Sequence, residues 1–570
     1  MTLAGVTPFP ADYAARYRAR GYWADRPLIA HFLDVFERYA SRLAIIDDEG
    51  SYTYAELAAA SERVALNLLD AGLLPGDRIE VQLPNTRLFA SFYFALQRIG
   101  VIPIMALPSH RFRELRQFVA LSGAVAAAAP ATARDVDFAE LHRRVSAEQP
   151  QLRLSILQGA PADGADGAVS LEELHDRMPS RHTAADLEVI AAKIDPDDPA
   201  VFQLSGGTTG IPKLIPRTHN DYAFNSRLAV LVCDVRDGDV LLDVLPIAHN
   251  LPLACPGMQG FLLSGATVLL SRSTRAPSVF AAIDRHQVTH IHVVPALLIQ
   301  WINDPAAADY ELRSVRVVQS GGQRLQPETR LRAEQVFASV TVQENFGMAE
   351  GLLMFVRLDD PAGVRLETVG RPVCPDDEVR LVGEDGTDVA DGEVGELWAR
   401  GPYTIRGYYN AEQHNQRAFS ADGFYRSGDM MWRHPTGNYV VAGRIKDLIN
   451  RGGEKISAKV ENLILGHPAV LNVACVPVPD PVLGERMCAC VVLRAGRRLT
   501  LPELIDFLAA EEMARHKLPE RLAVYDSLPL SPVGKVSKKD LAAWLAADAA
   551  AAQLDAGAAG PAAAAPKEDR

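Results

Sequence analysis

The chain has 570 residues, 48% of them apolar and 23% charged, with a formal charge of −13. That length exceeds what one hydrophobic core serves, so two or more domains are expected. An acidic balance without a long Lys/Arg block argues against a nucleic-acid partner, and no run of about 18 apolar residues predicts a membrane-spanning helix.

In chain order, "MTLAGVTPFPADYAARY" lacks a basic segment followed by an apolar one, so no signal peptide is expected. The cysteines Cys233, Cys255, Cys374, Cys475, Cys488 and Cys490 are scattered and suggest no disulfide framework. A reduced, cytoplasmic protein is the expectation. "RIEVQLPN", "RLFASFYFALQRIG" and "VIPIMAL" (78–107) then set a rhythm of strand, helix and strand. The rhythm returns in "ATVLLS", "APSVFAAIDRHQV" and "THIHVVPA" (266–296), and again in "VRVVQSGG", "QPETRLRAEQVF" and "VTVQENFG" (315–347). This is the pattern of parallel sheets covered by helices. His290 and His292 share a strand face, but no third metal ligand accompanies them, so they read as structural.

From about 376 to 442 short strands with Gly/Asp turns predict a small antiparallel subdomain. A compact α+β segment follows to about 545, in which "CAC" (488–490) reads as a strand interior. The tail 546–570 is Ala-rich low complexity; a helix is expected to enter its start and disorder its end.

"LSGGTTGIPKLIPRTHND" (204–221) carries the strongest chemical signal. Its glycines let the backbone turn tightly and aim N–H groups at an anion. Ser205, Thr208 and Thr209 add hydroxyls, and Lys213 adds charge. It is not a Walker A loop, because Pro212 precedes the lysine and no G-K-[ST] occurs.

This stretch resembles the phosphate loop of the adenylate-forming enzymes: acyl-CoA synthetases, peptide-synthetase adenylation domains and luciferases. "NFGMAEG" (345–351), "YRSGDM" (425–430), "GRIKDLINRGGEKIS" (443–457) and "PLSPVGKVSKKDL" (529–541) resemble further motifs of the same superfamily, in the same order. The likeness spans about residues 45–545. It implies an α/β fold with two parallel-type subdomains and a β-barrel-like one in residues 1–443. A small mobile α+β domain is implied over 444–545, hinged at Lys446.

It also implies ATP and Mg²⁺. Ser205, Thr208, Thr209 and Lys213 would hold phosphate, and Glu350 with Thr209 would hold the metal. Gly321, Gly322 and Gln323 would face Asn345, Phe346 and Gly347 across the adenine. Asp429 would bind the ribose, and Arg444 the nucleotide. Lys535 would bridge the acid's carboxylate and the α-phosphate. Rotation about Lys446 would then exchange Lys535 for the "RGGEKIS" loop and admit a thiol.

"HNLPLACPG" (249–257) and "FPADYAARYRARGYWADRPL" (9–28) resemble one branch, the stand-alone aryl-acid adenylating enzymes of siderophore assembly. The resemblance places His249 at the mouth of the acyl pocket and Asn250 on an ortho hydroxyl. Leu251 departs from the Tyr or Phe often found there. Cys255 and Leu353 match the salicylate activators, whereas Ser and Val go with 2,3-dihydroxybenzoate. A thiol is the weaker hydrogen-bond partner and Leu adds a methylene, and both disfavour a 3-hydroxyl. The implied acceptor is a phosphopantetheinylated aryl carrier protein. A 2,3-dihydroxybenzoate–AMP ligase, an aryl-CoA ligase and an idle binding protein on the same fold are the alternatives.

Overall fold

The computed structural model describes residues 3–133, 136–159, 167–205, 212–338, 340–445, 449–451, 454–456, 459–480, 484–511, 513, 517–531 and 534–558. The chain divides into two compact units, Met1–Val441 with Pro532–Lys535, and Ala442–Ser531 with Val536–Arg570.

Among the described residues the first unit holds two large, mainly parallel sheets. One has seven strands, in the order Leu214–Thr218, Pro199–Leu204, Ile102–Met105, Arg78–Val81, Ala126–Pro130, Leu154–Gln158 and Val169–Ser170. Only its edge pair, Pro199–Leu204 with Leu214–Thr218, is antiparallel. The other has nine strands, in the order Arg371–Pro372, Gly351–Phe355, Thr341–Met348, Val317–Gly321, His290–Val293, Val240–Asp243, Thr267–Leu270, Leu43–Asp47 and Gly50–Thr53. Its central strands are buried on both faces, as helix-covered parallel sheets require.

In that sheet the chain leaves Val240–Asp243 for a neighbour on one side, then returns to pair on the other side with His290–Val293. Such a reversal opens a crevice at the carboxyl ends of the strands. A four-stranded antiparallel sheet, Glu378–Val382, Gly395–Arg400, Tyr425–Arg433 and Tyr439–Arg444, follows where short strands were expected.

The second unit is built on a five-stranded sheet with the helices Lys459–Leu465, Leu501–Ala510 and Lys538–Ala558. Strand alternation divides its core in two. Val473, Cys475, Met487 and Ala489 pack with Leu504 and Leu508, whereas Ala474, Val476, Cys488 and Cys490 pack with Leu541 and Leu545. The "CAC" cysteines thus sit in a strand, Gly484–Leu493. The last helix enters the Ala-rich tail, and residues 559–570 lie outside the described residues. Among the described residues no helix is long and apolar enough to cross a membrane.

Candidate active site

The crevice wall begins just beyond Val240–Asp243. His249 caps the one-and-a-half-turn helix Asn250–Ala254, its Nδ1 accepting from the Leu251 N–H at 3.4 Å. Gly257 then takes φ +52°, and a Cβ there would run into the Pro252 carbonyl oxygen. Only glycine allows so tight a return, which brings the 250–255 turn against the buried helix His219–Val232.

Thr218 caps that helix in a reciprocal box with Asp221, Thr218 Oγ1 lying 3.0 Å from the carboxylate. Helical spacing puts Tyr222, Asn225 and Ser226 on one face. The Tyr222 hydroxyl donates to Asn250 Oδ1 at 2.9 Å, and Asn250 Nδ2 donates to Cys255 Sγ at 3.2 Å. Asn225 Nδ2 donates to the same sulfur at 3.3 Å and to the Ala254 carbonyl at 2.7 Å. Burial pushes the Cys255 thiol up to about 11, so it remains an S–H at neutral pH. Leu353 packs in the same core cluster as Tyr222 and Cys255.

Arg217, fully buried, ion-pairs with Asp221 at 2.8 Å and donates to the Ala349 carbonyl at 3.0 Å. It therefore ties the helix to the hairpin that carries Glu350. The Glu350 carboxylate accepts from the Tyr408 hydroxyl at 2.7 Å, and its backbone carbonyl accepts from the Ile405 N–H at 2.8 Å. Lys213 Nζ stands 5.8 Å from the centre of the Tyr408 ring. Ser205 and Lys213 are zipped together across the loop base, Lys213 N–H donating to Ser205 Oγ at 2.9 Å and Ser205 N–H to the Lys213 carbonyl at 3.0 Å.

A second group gathers at the end of Val317–Gly321. A Cβ on Gly321 would meet the Asn345 side chain, and one on Gly322 (φ +87°) would meet Lys535 Cε, with Nζ at 3.0 Å. The Lys535 side chain therefore lies across the Gly322 backbone. Its charge adds to desolvation in pushing half-buried His249 down to about 3, so His249 is neutral at physiological pH. Phe346 is half-buried on the opposite strand face from Leu353, beside Leu352 and Met354, and Gly347 pairs with Leu353 across the hairpin. Gln323 follows Gly322 directly.

Asp429 is buried in the four-stranded sheet, its N–H donating to Ser427 Oγ at 3.0 Å. Arg444 falls in the second unit. Thr208, Thr209 and Lys446 lie outside the described residues.

His290 is fully buried, with Nε2 3.1 Å from the Cys233 carbonyl and Nδ1 2.9 Å from Thr289 Oγ1, a structural arrangement. Among the described residues no cluster of three His, Cys, Asp or Glu could hold a metal. Sequence reasoning missed Gln203, Arg217, Tyr222, Asn225 and Tyr408. Arg217 lies within the 204–221 stretch, but nothing local marks the others.

Residues 32–409 match the AMP-binding enzyme family, and residues 459–535 match the AMP-binding enzyme C-terminal domain. The chain belongs to the AMP-binding enzyme family. This AMP-binding enzyme is 46% identical over 545 residues to a Streptomyces salicylyl-CoA synthase / salicylate adenylyltransferase, covering 95% of this chain and 98% of that one. It is 44% identical over 545 residues to the Mycobacterium tuberculosis salicyl-AMP ligase / salicyl-S-ArCP synthetase, covering 94% of each. The apo structure of MbtA from Mycobacterium smegmatis superimposes with a TM-score of 0.71 at 42% identity, covering 95% of this chain and 99% of that one.

Proposed function

We propose that this AMP-binding enzyme joins salicylate to AMP and then passes the salicyl group to the phosphopantetheine thiol of an aryl carrier protein. The observation that carries the reading is the buried Asn250–Cys255 pair, 3.2 Å apart, with Leu353 in the same hydrophobic core as Cys255. It supplies one amide donor for an ortho oxygen and no strong partner for a 3-hydroxyl.

In the first half-reaction a carboxylate oxygen of salicylate attacks the α-phosphorus of ATP. The bond to the bridging oxygen breaks and pyrophosphate leaves. Positioning and cationic stabilisation dominate such a transfer. Lys535 takes the carboxylate and the α-phosphate. Ser205, Thr208, Thr209 and Lys213 hold the phosphate oxygens, and Asp429 accepts from the ribose hydroxyls. Gly321 and Gly322 face Asn345 and Phe346 across the adenine. In the second half-reaction the thiol sulfur attacks the acyl carbonyl and AMP leaves, after rotation at Lys446 of a domain running from 444 to 545 on a core of 1–443.

The donor set fits Mg²⁺. Tyr408 holds Glu350 by one oxygen; the other oxygen would be offered to the hard cation, and Thr209 would be its second ligand. Bound there, the ion neutralises phosphate charge.

Pyrophosphate exchange across a panel of aryl acids tests the reading. Salicylate is expected to lead, followed by 2,3-dihydroxybenzoate and then benzoate; a panel led by benzoate or an aliphatic acid would overturn it. The second reading, CoA as acceptor, is favoured by the likeness to the Streptomyces salicylyl-CoA synthase. Saturating turnover with free CoA, without a carrier protein, would select it.

A further inference from the structure

We infer that Gln203 and Tyr222 set the orientation of the Asn250 amide, so that the pocket reads a hydrogen-bond acceptor, and not a donor, at the ortho position of the aryl acid. The inference rests on the aryl-acid reading above and deepens it. Neither residue is required to touch the ligand; both are positioning residues.

The argument is one of polar satisfaction. An asparagine amide fits its cavity equally well in two orientations, and its neighbours choose between them. On one side stands Cys255, whose sulfur also takes an N–H from Asn225 at 3.3 Å. Asn225 itself has no choice of orientation. Its Nδ2 faces the Ala254 carbonyl at 2.7 Å, which only accepts, and its Oδ1 faces Arg217 Nη2 at 3.4 Å, which only donates. Cys255 can nevertheless serve either orientation of Asn250, as a weak acceptor through sulfur or a weak donor through S–H. It does not decide.

Tyr222 decides. On the strand Pro199–Leu204, Gln203 donates Nε2–H to the Tyr222 oxygen at 3.1 Å. The phenol proton then has to find an acceptor, and Asn250 Oδ1 stands at 2.9 Å. If Asn250 were turned round, the phenol oxygen would face two N–H donors and its own proton would be stranded. Gln203, Tyr222 and Asn250 are all at most 5% exposed, so water cannot rescue the reversed arrangement. With Gln203 oriented as the structure gives it, Nε2 toward the phenol, the chain runs in one direction, from Gln203 to Tyr222 to Asn250. One hydrogen of Nδ2 goes to Cys255, and the second is left for the ligand.

Salicylate presents a phenol oxygen whose proton is turned to its own carboxylate, leaving a lone pair for that N–H. Anthranilate, the same size, presents an N–H outward, because its nitrogen lone pair is delocalised into the ring. Donor then meets donor.

The test is pyrophosphate exchange by the full chain with salicylate, anthranilate and benzoate, comparing wild type with Tyr222→Phe. Phe keeps the ring and removes the proton that holds Oδ1, so the amide can turn its oxygen to the ligand. The kcat/KM ratio of salicylate to anthranilate is expected to fall by about tenfold or more, with benzoate changed by less than about threefold. An equal fall for all three acids would make Tyr222 merely structural and overturn the inference. If Tyr222→Phe does not fold, Gln203→Met, which removes the first donor, is read by the same ratio. Wild type that does not use salicylate overturns the proposed function itself. Wild type that uses it while the variants keep its ratio overturns only this inference.

Discussion

Leu352 and Leu353 are consecutive in one strand and bury into different cores. Leu353 belongs to the core that also holds Cys255 and Tyr222, whereas Leu352 belongs to the one that holds Leu397, Ala399 and Met431 of the four-stranded sheet. The period of two in a β-strand separates them, and only one of the two can shape an aryl pocket.

The double change Cys255→Ser with Leu353→Val should therefore shift preference toward 2,3-dihydroxybenzoate by about tenfold or more, roughly 1.4 kcal/mol. Leu352→Val alone should leave the ratio of kcat/KM for the two acids where it was. An unchanged ratio in the double variant would remove Cys255 and Leu353 from the pocket.

Lys535→Ala should abolish adenylate formation in a protein that remains folded. The side chain crosses Gly322, and losing one charged contact to the developing transition state costs roughly 3–4 kcal/mol. Pyrophosphate exchange near the wild-type rate, with an unchanged unfolding midpoint, would refute its role.

Arg217→Met should destabilise the fold by about 3–5 kcal/mol, because it strands the buried Asp221 carboxylate. Adding Asp221→Asn removes the stranded charge and should restore part of the loss. Urea unfolding of both variants checks this; a double variant less stable than Arg217→Met would show that the charge is not the cost.

Burial pushes Asp377 up to about 7 against its usual 3.8, although the Tyr403 hydroxyl donates to Oδ2 at 2.6 Å and Oδ1 has no hydrogen-bond partner. Between those two values the folded chain holds a proton that the unfolded chain has released. The contribution to stability is thus fully present below the unfolded value and is lost as pH rises through 4 to 7. Asp377→Asn, always neutral, should gain stability relative to wild type across that window and hold the gain at pH 8. Urea midpoints of the two proteins at pH 5, 6, 7 and 8 would show parallel lines if Asp377 titrates normally.

Much of this protein was legible in its sequence because the signals are local. Tight glycine turns, hydroxyls and a lysine within "LSGGTTGIPK" need only their own backbone to suggest an anion loop, and apolar runs alternating with helical periods already imply parallel sheets. The alternation of "CAC" placed both cysteines in a strand, and the missing third ligand beside His290 and His292 made a structural reading the better one. The roles proposed for Asp429 and Lys535 come only through resemblance, since neither residue stands out among its neighbours.

The sequence by itself determined the family and the order of the elements, and it nominated the residues proposed to carry the chemistry. Tertiary structure alone decided how those residues are held: that Tyr222 and not solvent takes Asn250 Oδ1, that Tyr408 anchors Glu350 from 58 positions away, and that Arg217 ties the pocket helix to Ala349, 132 positions distant. The physical reason is that a hydrogen bond's direction depends on every partner that can reach it, and the fold, not sequence spacing, chooses those partners.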